Sequence, residues 1–115
     1  SVTTGVRFRL ERPELLPLVI PTSLAIGYRE EVFFRAFLLP RLEDLGASPA
    51  TAVIISTATF AMGHLYQGIL GGVVTAAIGA VLAIVFLRRR DVHLVAVAHA
   101  AYNAAVLTTS YFIFS

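Results

Sequence analysis

Six side chains able to carry charge, accept a proton or donate a hydrogen bond stand in stretches that are otherwise apolar: Glu30, Glu31, Arg35, His64, His99 and Asn103. The first three fall in Tyr28-Arg29-Glu30-Glu31-Val32-Phe33-Phe34-Arg35, with no charge from Leu15 to Tyr28 before it or from Ala36 to Pro40 after it. Charges in such a run are costly against hydrocarbon unless they face protein or water. Glu31 and Arg35 are four apart with the acid on the N-terminal side, the favourable order for a helical ion pair. Glu30 is rotated from Glu31 by about 100°, so Arg35 cannot serve both carboxylates. The partner of Glu30 must come from another part of the chain. Phe60-x-x-x-His64 and His99-x-x-x-Asn103 supply the available groups, the latter with both side chains on one helix face.

One glutamate and two histidines from three helices support two chemistries. In the first, Glu30 and His64 hold and deprotonate a water, since a desolvated carboxylate is a competent general base. His99 and Asn103 then donate hydrogen bonds to the oxyanion formed when that water attacks a carbonyl. In the second, Glu30, His64 and His99 ligate Zn²⁺ and leave a position open for water. No His-Glu-x-x-His accompanies the second, and Asn103 has a role only in the first, so the expectation is a site without a cofactor, with zinc as the alternative. His93, six residues before His99, lies about 240° away around the same helix and reads as an interfacial histidine.

These residues require helices in a membrane to position them. Hydrophobic residues make up 57% of the 115 and charged ones only 14%, against about 25% charged in soluble domains. The mean hydropathy is +0.81. With no cysteine there is no disulfide, thiolate nucleophile or Cys-based metal site. All the basic residues are Arg, grouped at segment ends, which suits lipid headgroups better than nucleic acid. No signal-peptide pattern opens the chain, and its polar start at Ser1 reads as part of a longer protein.

The pattern predicts an all-α, polytopic transmembrane bundle of about four helices. Residues 1–12 form a polar, Arg-bearing juxtamembrane lead, and 13–115 form one membrane-embedded domain. The first apolar segment runs from Pro13 to about Leu45, with Pro17 and Pro21 disturbing its start and Pro40 bending its end. Gly46 suits the residue after a helix, and Ser48-Pro49 is a start signal for a second helix reaching about His64 or Tyr66. Gln67 to Leu87 is an uncharged span whose small residues, such as Gly79-x-x-x-Ala83, allow close helix packing. Arg88-Arg89-Arg90 closes it, and Asp91 caps a last helix from Val92 to about Phe114.

Glu-Glu-x-x-x-Arg (Glu30, Glu31, Arg35), Phe-x-x-x-His (Phe60, His64) and His-x-x-x-Asn (His99, Asn103), in this order on successive apolar segments, resemble the three motifs of the CAAX protease and bacteriocin-processing (Abi) family, the type II CAAX prenyl endopeptidases included. The resemblance covers roughly residues 14 to 110. It implies a glutamate-dependent intramembrane endopeptidase in a bacterial or archaeal membrane, cutting near the C-terminus of a peptide or protein substrate that enters from the bilayer. It also implies Glu30 as the water-activating base with His64, His99 and Asn103 as the oxyanion hole, and Glu31, Arg35 and Phe60 as support. Two positions depart from the family's pattern: Ala36 stands where Gly is frequent, and Arg29 places a charge directly before the Glu pair. The alternative within the same family is a non-catalytic immunity or scaffolding protein, although a scaffold has no need of a mid-membrane Glu, two His and an Asn.

Overall fold

The computed structural model describes residues 13–114, and among these all regular structure is helical. The juxtamembrane lead expected over residues 1–12 lies outside the described residues. A first rod is built of four joined pieces: a 3-10 turn Pro13–Leu18, helix α1 Val19–Glu31, a π-helical stretch Val32–Leu38 and helix α2 Leu39–Asp44. Helix α3 (Pro49–Met62), a 3-10 turn Leu65–Gln67, helix α4 (Gly68–Arg89) and helix α5 (Val92–Phe114) follow. The all-α bundle of four helical segments expected from the sequence is present.

The prolines shape the first rod as anticipated at its start and differently at its end. Pro17 falls in the 3-10 turn, and Pro21 falls in the first turn of α1, where no N–H is needed. Near Pro40 the irregularity is the π-helical stretch that precedes it. Pro40 has no N–H for the carbonyl a turn back and its ring crowds that of Ala36; bonding five residues apart widens the turn that must accommodate it. The widening has a consequence for packing. The buried residues Val19, Ser23, Gly27, Glu31, Arg35 and Leu39 recur every four positions. A regular α-helix would carry such a row steadily around the rod. The underwound stretch turns it back, so Glu31, Arg35 and Leu39 all remain buried.

Local signals close the other helices. Gly46, at φ 98°, adopts a conformation that costs glycine little. Its N–H reaches the Glu43 carbonyl at 2.9 Å, while Ala47 N–H reaches that of Leu42 at 3.0 Å. Ser48 Oγ accepts the Thr51 N–H at 3.1 Å, and Asp91 Oδ1 accepts those of His93 at 3.0 Å and Leu94 at 3.3 Å. Helix α3 stops at Met62, short of the His64 to Tyr66 end expected, because the chain tightens into the 3-10 turn and then reverses at Gly68 with φ 92°. Arg90 is turned left-handed after α4, and its fork holds both oxygens of Glu43, at 2.8 and 2.9 Å. This ties the end of α2 to the end of α4. The hydrogen bond from Arg90 holds the Glu43 carboxyl below its ordinary range.

Helix α1 packs along α5, and α3 along α4. At Gly27 the backbones nearly touch: a Cβ there would sit 3.0 Å from the Ala96 carbonyl oxygen and 3.1 Å from the Ala100 nitrogen. Leu39, Ala52, Leu82, Ala83, Phe86 and Val95 form the apolar core. Large apolar side chains such as Ile54, Ile69, Leu70 and Val73 stand outward. Leu65–Arg89, with a mean hydropathy of 2.6, and Val92–Thr109, with 1.3, are long and apolar enough to cross a bilayer. The 14 residues of α3 extend about 21 Å, short of a hydrocarbon core of about 30 Å.

Gly27→Ala should therefore lower stability in detergent by about 1–3 kcal/mol by forcing α1 off α5. Gly63→Ala is the control, because its Cβ would meet nothing nearer than 3.6 Å. Equal thermal melts for the two variants would show that the α1–α5 contact does not limit packing.

Candidate active site

The cluster begins with a buried ion pair. Glu31 and Arg35 are both fully buried, and Arg35 Nε lies 3.0 Å from Glu31 Oε1. The N–H is not aligned on that oxygen, and neither atom has a hydrogen-bond partner among the described residues. The contact is an electrostatic one. The aligned donors of the guanidinium go elsewhere: Nη2 to the Gly79 carbonyl at 3.3 Å and Nη1 to Ser56 Oγ at 3.5 Å. Ser56 Oγ in turn donates to the Phe34 carbonyl at 3.2 Å. The guanidinium carbon also lies 4.7 Å from the centre of the Phe60 ring, a distance at which a desolvated cation is attracted to the aromatic face.

The second oxygen of Glu31 accepts from His99 Nδ1 at 2.7 Å. One buried carboxylate therefore joins Arg35 of the first rod to His99 of α5. With Nδ1 committed, His99 turns Nε2 toward Glu30 Oε1, 3.3 Å away. His64 is arranged the same way from the other side. Its Nδ1 lies 2.8 Å from the Phe60 carbonyl, one helical turn back. A carbonyl only accepts, so Nδ1 carries the proton and Nε2 of the neutral ring is an acceptor. That Nε2 faces Glu30 Oε2 at 3.7 Å. The distance is too long for a direct hydrogen bond.

Phe60 is the common wall. Its ring centre lies 4.7 Å from that of His64, 5.7 Å from that of His99 and 5.1 Å from that of Phe34. A cavity of about 260 Å³ opens over this arrangement. Glu30, Phe60, His64, His99 and Asn103 all line it, as do Ser23, Arg29, Tyr66 and Tyr102. Glu31 and Arg35 lie beneath it, fully buried. Asn103 makes no side-chain hydrogen bond among the described residues, so its amide is available to the cavity. His93 is not part of the group: it is exposed and its Nδ1 meets the Tyr28 hydroxyl at 3.1 Å.

Three supporting residues were not singled out by their chemistry in the sequence. Gly79 stood out only within a stripe of small residues. A Cβ there would come within 2.8 Å of Phe60 Cδ2 and 3.5 Å of Arg35 Nη2, so its bareness lets both reach α4. Ser56 carried no signal in an apolar helix. Ser23 is buried, lines the cavity and has no hydrogen-bond partner for Oγ among the described residues.

Two spans apolar enough for a bilayer, with Arg29, Glu30, Glu31 and Arg35 gathered at one partly enclosed cavity, are the features of a membrane protein with an internal polar site. The family described as type II CAAX prenyl endopeptidase Rce1-like matches residues 12–105, and the chain belongs to that family of membrane-embedded proteases. Neither the curated proteins nor the solved structures returned a match.

The buried pair yields a stability test. Arg35→Met leaves a buried carboxylate without its cation and should cost about 3–5 kcal/mol, seen as lost folded yield and a lower melting temperature. Glu31→Gln together with Arg35→Met removes both charges, keeps an acceptor for His99 Nδ1, and should recover part of the loss. A single variant that melts like wild type would contradict a structural role for the pair.

Proposed function

We propose that residues 13–115 are the core of an endopeptidase that hydrolyses a peptide bond within the membrane by direct attack of water, without a covalent enzyme intermediate. The observation that carries this reading is the placement of Glu30 between two imidazoles, each fastened through Nδ1 and each presenting Nε2. A water beside the His64–Glu30 gap would donate one O–H to Glu30 and the other to His64 Nε2. Both hydrogens would then point at the protein, and the oxygen lone pairs at the cavity.

As the water oxygen bonds to the scissile carbonyl carbon, its proton passes to Glu30. The carbonyl oxygen gains the negative charge, where the Asn103 amide can donate to it. A His99 ring carrying both protons faces Glu30 with Nε2–H across 3.3 Å and can turn that donor to the oxyanion once Glu30 is neutral. Collapse of the intermediate breaks the C–N bond, and the proton held by Glu30 goes to the leaving nitrogen. The second water proton passes from the new carboxyl group to the amine, so the products part as a carboxylate and an ammonium group, and Glu30 returns to its starting state. Glu31, Arg35 and Phe60 act by holding the two rings.

Zinc chemistry would require Glu30, His64 and His99 to converge on one ion. Among the described residues no group of three His, Asp or Glu is placed to hold a metal ion, and Asn103, which lines the cavity, has a role only in the reading without metal. The substrate is a peptide or protein reached from the lipid phase, consistent with the exposed apolar surface of the helices.

Glu30→Gln should abolish peptide release in liposomes. Asn103→Ala should slow it by about 10²–10³-fold, the effect of losing one oxyanion donor, while the protein stays folded. Activity should persist through strong chelators and dialysis. Loss on chelation with recovery on Zn²⁺ would instead establish the metal reading. A Glu30→Gln protein that still performs the biological task, such as immunity to a bacteriocin, would establish the scaffold.

A further inference from the structure

A groove between the first turns of α3 and the last turns of α4 has no part in the chemistry at Glu30. Its volume is about 590 Å³, within the range of about 300–1,000 Å³ usual for ligand sites. Its floor is apolar: Ala50, Val53 and Ile54 come from α3, and Ile84 and Leu87 from α4. Ile54 and Ile84 are 67% and 43% exposed, while Ala52, Leu82, Ala83 and Phe86 of the same two helices pack into the core. The charges at the rim are unequal. Among the described residues, Glu43 is the only acid that lines the groove, and both its oxygens are held by Arg90. Arg88 lines the groove as well, is exposed, and makes no ion pair among the described residues. One cation is left over at the mouth of an apolar cleft.

We propose that this groove is a binding site for one anionic phospholipid, with an acyl chain along the apolar floor and the phosphate at Arg88. The placement of each part follows from the order of residues along α4. Arg88 stands in its last turn, and Ile84 lies four residues back, about 6 Å down the axis on the same face. Leu65–Arg89 is apolar enough to cross a bilayer, so its arginine end belongs among the headgroups and Ile84 below them. A molecule that fills the groove therefore needs an anion at one level and hydrocarbon one turn deeper. A phospholipid carries the two in that order. A free phosphate leaves the floor uncovered, and an apolar helix of a second copy leaves Arg88 without an anion. A zwitterionic lipid brings its own cation to the phosphate, so the surplus charge favours a lipid of net negative charge. The guanidinium fork meets phosphate oxygens through paired charge-assisted hydrogen bonds. The lipid touches α3 and α4 together, and braces the end of the bundle at which Arg90 ties α4 to α2.

The test is native mass spectrometry of the full chain in a neutral detergent, titrated with phosphatidylglycerol or with phosphatidylcholine of the same acyl chains. One phosphatidylglycerol should be retained, with an affinity about 10- to 100-fold above that of phosphatidylcholine, as expected for hydrogen bonds to a charged group. Arg88→Gln should bring the two lipids to equal affinity. Arg89→Gln removes the same charge one residue away, outside the groove's lining, and should keep the preference. Ala50→Phe, at an exposed position, fills the floor and should weaken the binding of both lipids. Phosphatidylglycerol should also raise the melting temperature of wild type, as a ligand of the folded state does, and should raise that of Arg88→Gln no more than phosphatidylcholine does. Equal affinities in wild type, or a preference that survives in Arg88→Gln, would overturn the proposal. The same loss in Arg89→Gln as in Arg88→Gln would also overturn it, by showing attraction to the arginine cluster as a whole. Displacement of the lipid by an equal concentration of inorganic phosphate would reduce the groove to an anion site, and a dimer dissociated by Ala50→Phe would assign it to a second copy. Either result contradicts a phospholipid site.

Discussion

The structure is organised by the cost of burying one carboxylate. Glu31 is fully buried in a bundle that is otherwise apolar, and a charge there persists only if its oxygens are met. One oxygen faces Arg35 and the other accepts from His99. Each partner then makes demands of its own. Arg35 requires acceptors, which it finds at the bare backbone of Gly79 and at Ser56. Bringing α5 close enough for His99 requires the missing Cβ of Gly27. Keeping Glu31 and Arg35 both buried, along a row spaced by four, draws on the π-helical stretch before Pro40. A single buried charge thus sets helix spacing, helix winding and the composition of two facing helices.

The chemistry is attached to that framework rather than added beside it. His99 is oriented by the same carboxylate that Arg35 stabilises, so the stability of the bundle and the aim of a ring in the cavity depend on one residue. His64 obtains the same result locally, through the carbonyl of Phe60. His99 approaches Glu30 from α5 and His64 from the turn that follows α3, with the same nitrogen forward. Buried polar networks gain from each partner that is supplied, and here small or aromatic positions supply them: Gly79 and Ser56 give Arg35 its acceptors, and Phe60 gives it an aromatic face.

Much of this was legible in the sequence because charges in an apolar run are conspicuous. The pairing of Glu31 with Arg35 followed from their spacing, and the need of Glu30 for a partner followed from its rotation relative to Glu31. The caps at Ser48, Gly46 and Asp91 were readable from residue type alone. Other features were not legible because no residue type signals them. The π-helical stretch arises from the meeting of Pro40 with a four-residue burial row, and the early end of α3 from a turn set by Gly68. Gly79 was visible as a small residue, but only the packed structure shows that an arginine two helices away uses its carbonyl. The junction of Glu31 with His99 joins residues 68 positions apart, and spacing within one helix cannot disclose it.

The central claim is that both site histidines are held by Nδ1–H and offer Nε2 to Glu30. It is tested most directly by ¹⁵N NMR of ring-labelled histidine in the folded protein in detergent micelles, with the signals assigned through His64→Gln, His93→Gln and His99→Gln. The account predicts a proton on Nδ1 of both His64 and His99, and a bare Nε2 on His64. A His64 ring protonated at Nε2 with Nδ1 bare, or a His99 ring with no proton on Nδ1, would contradict it.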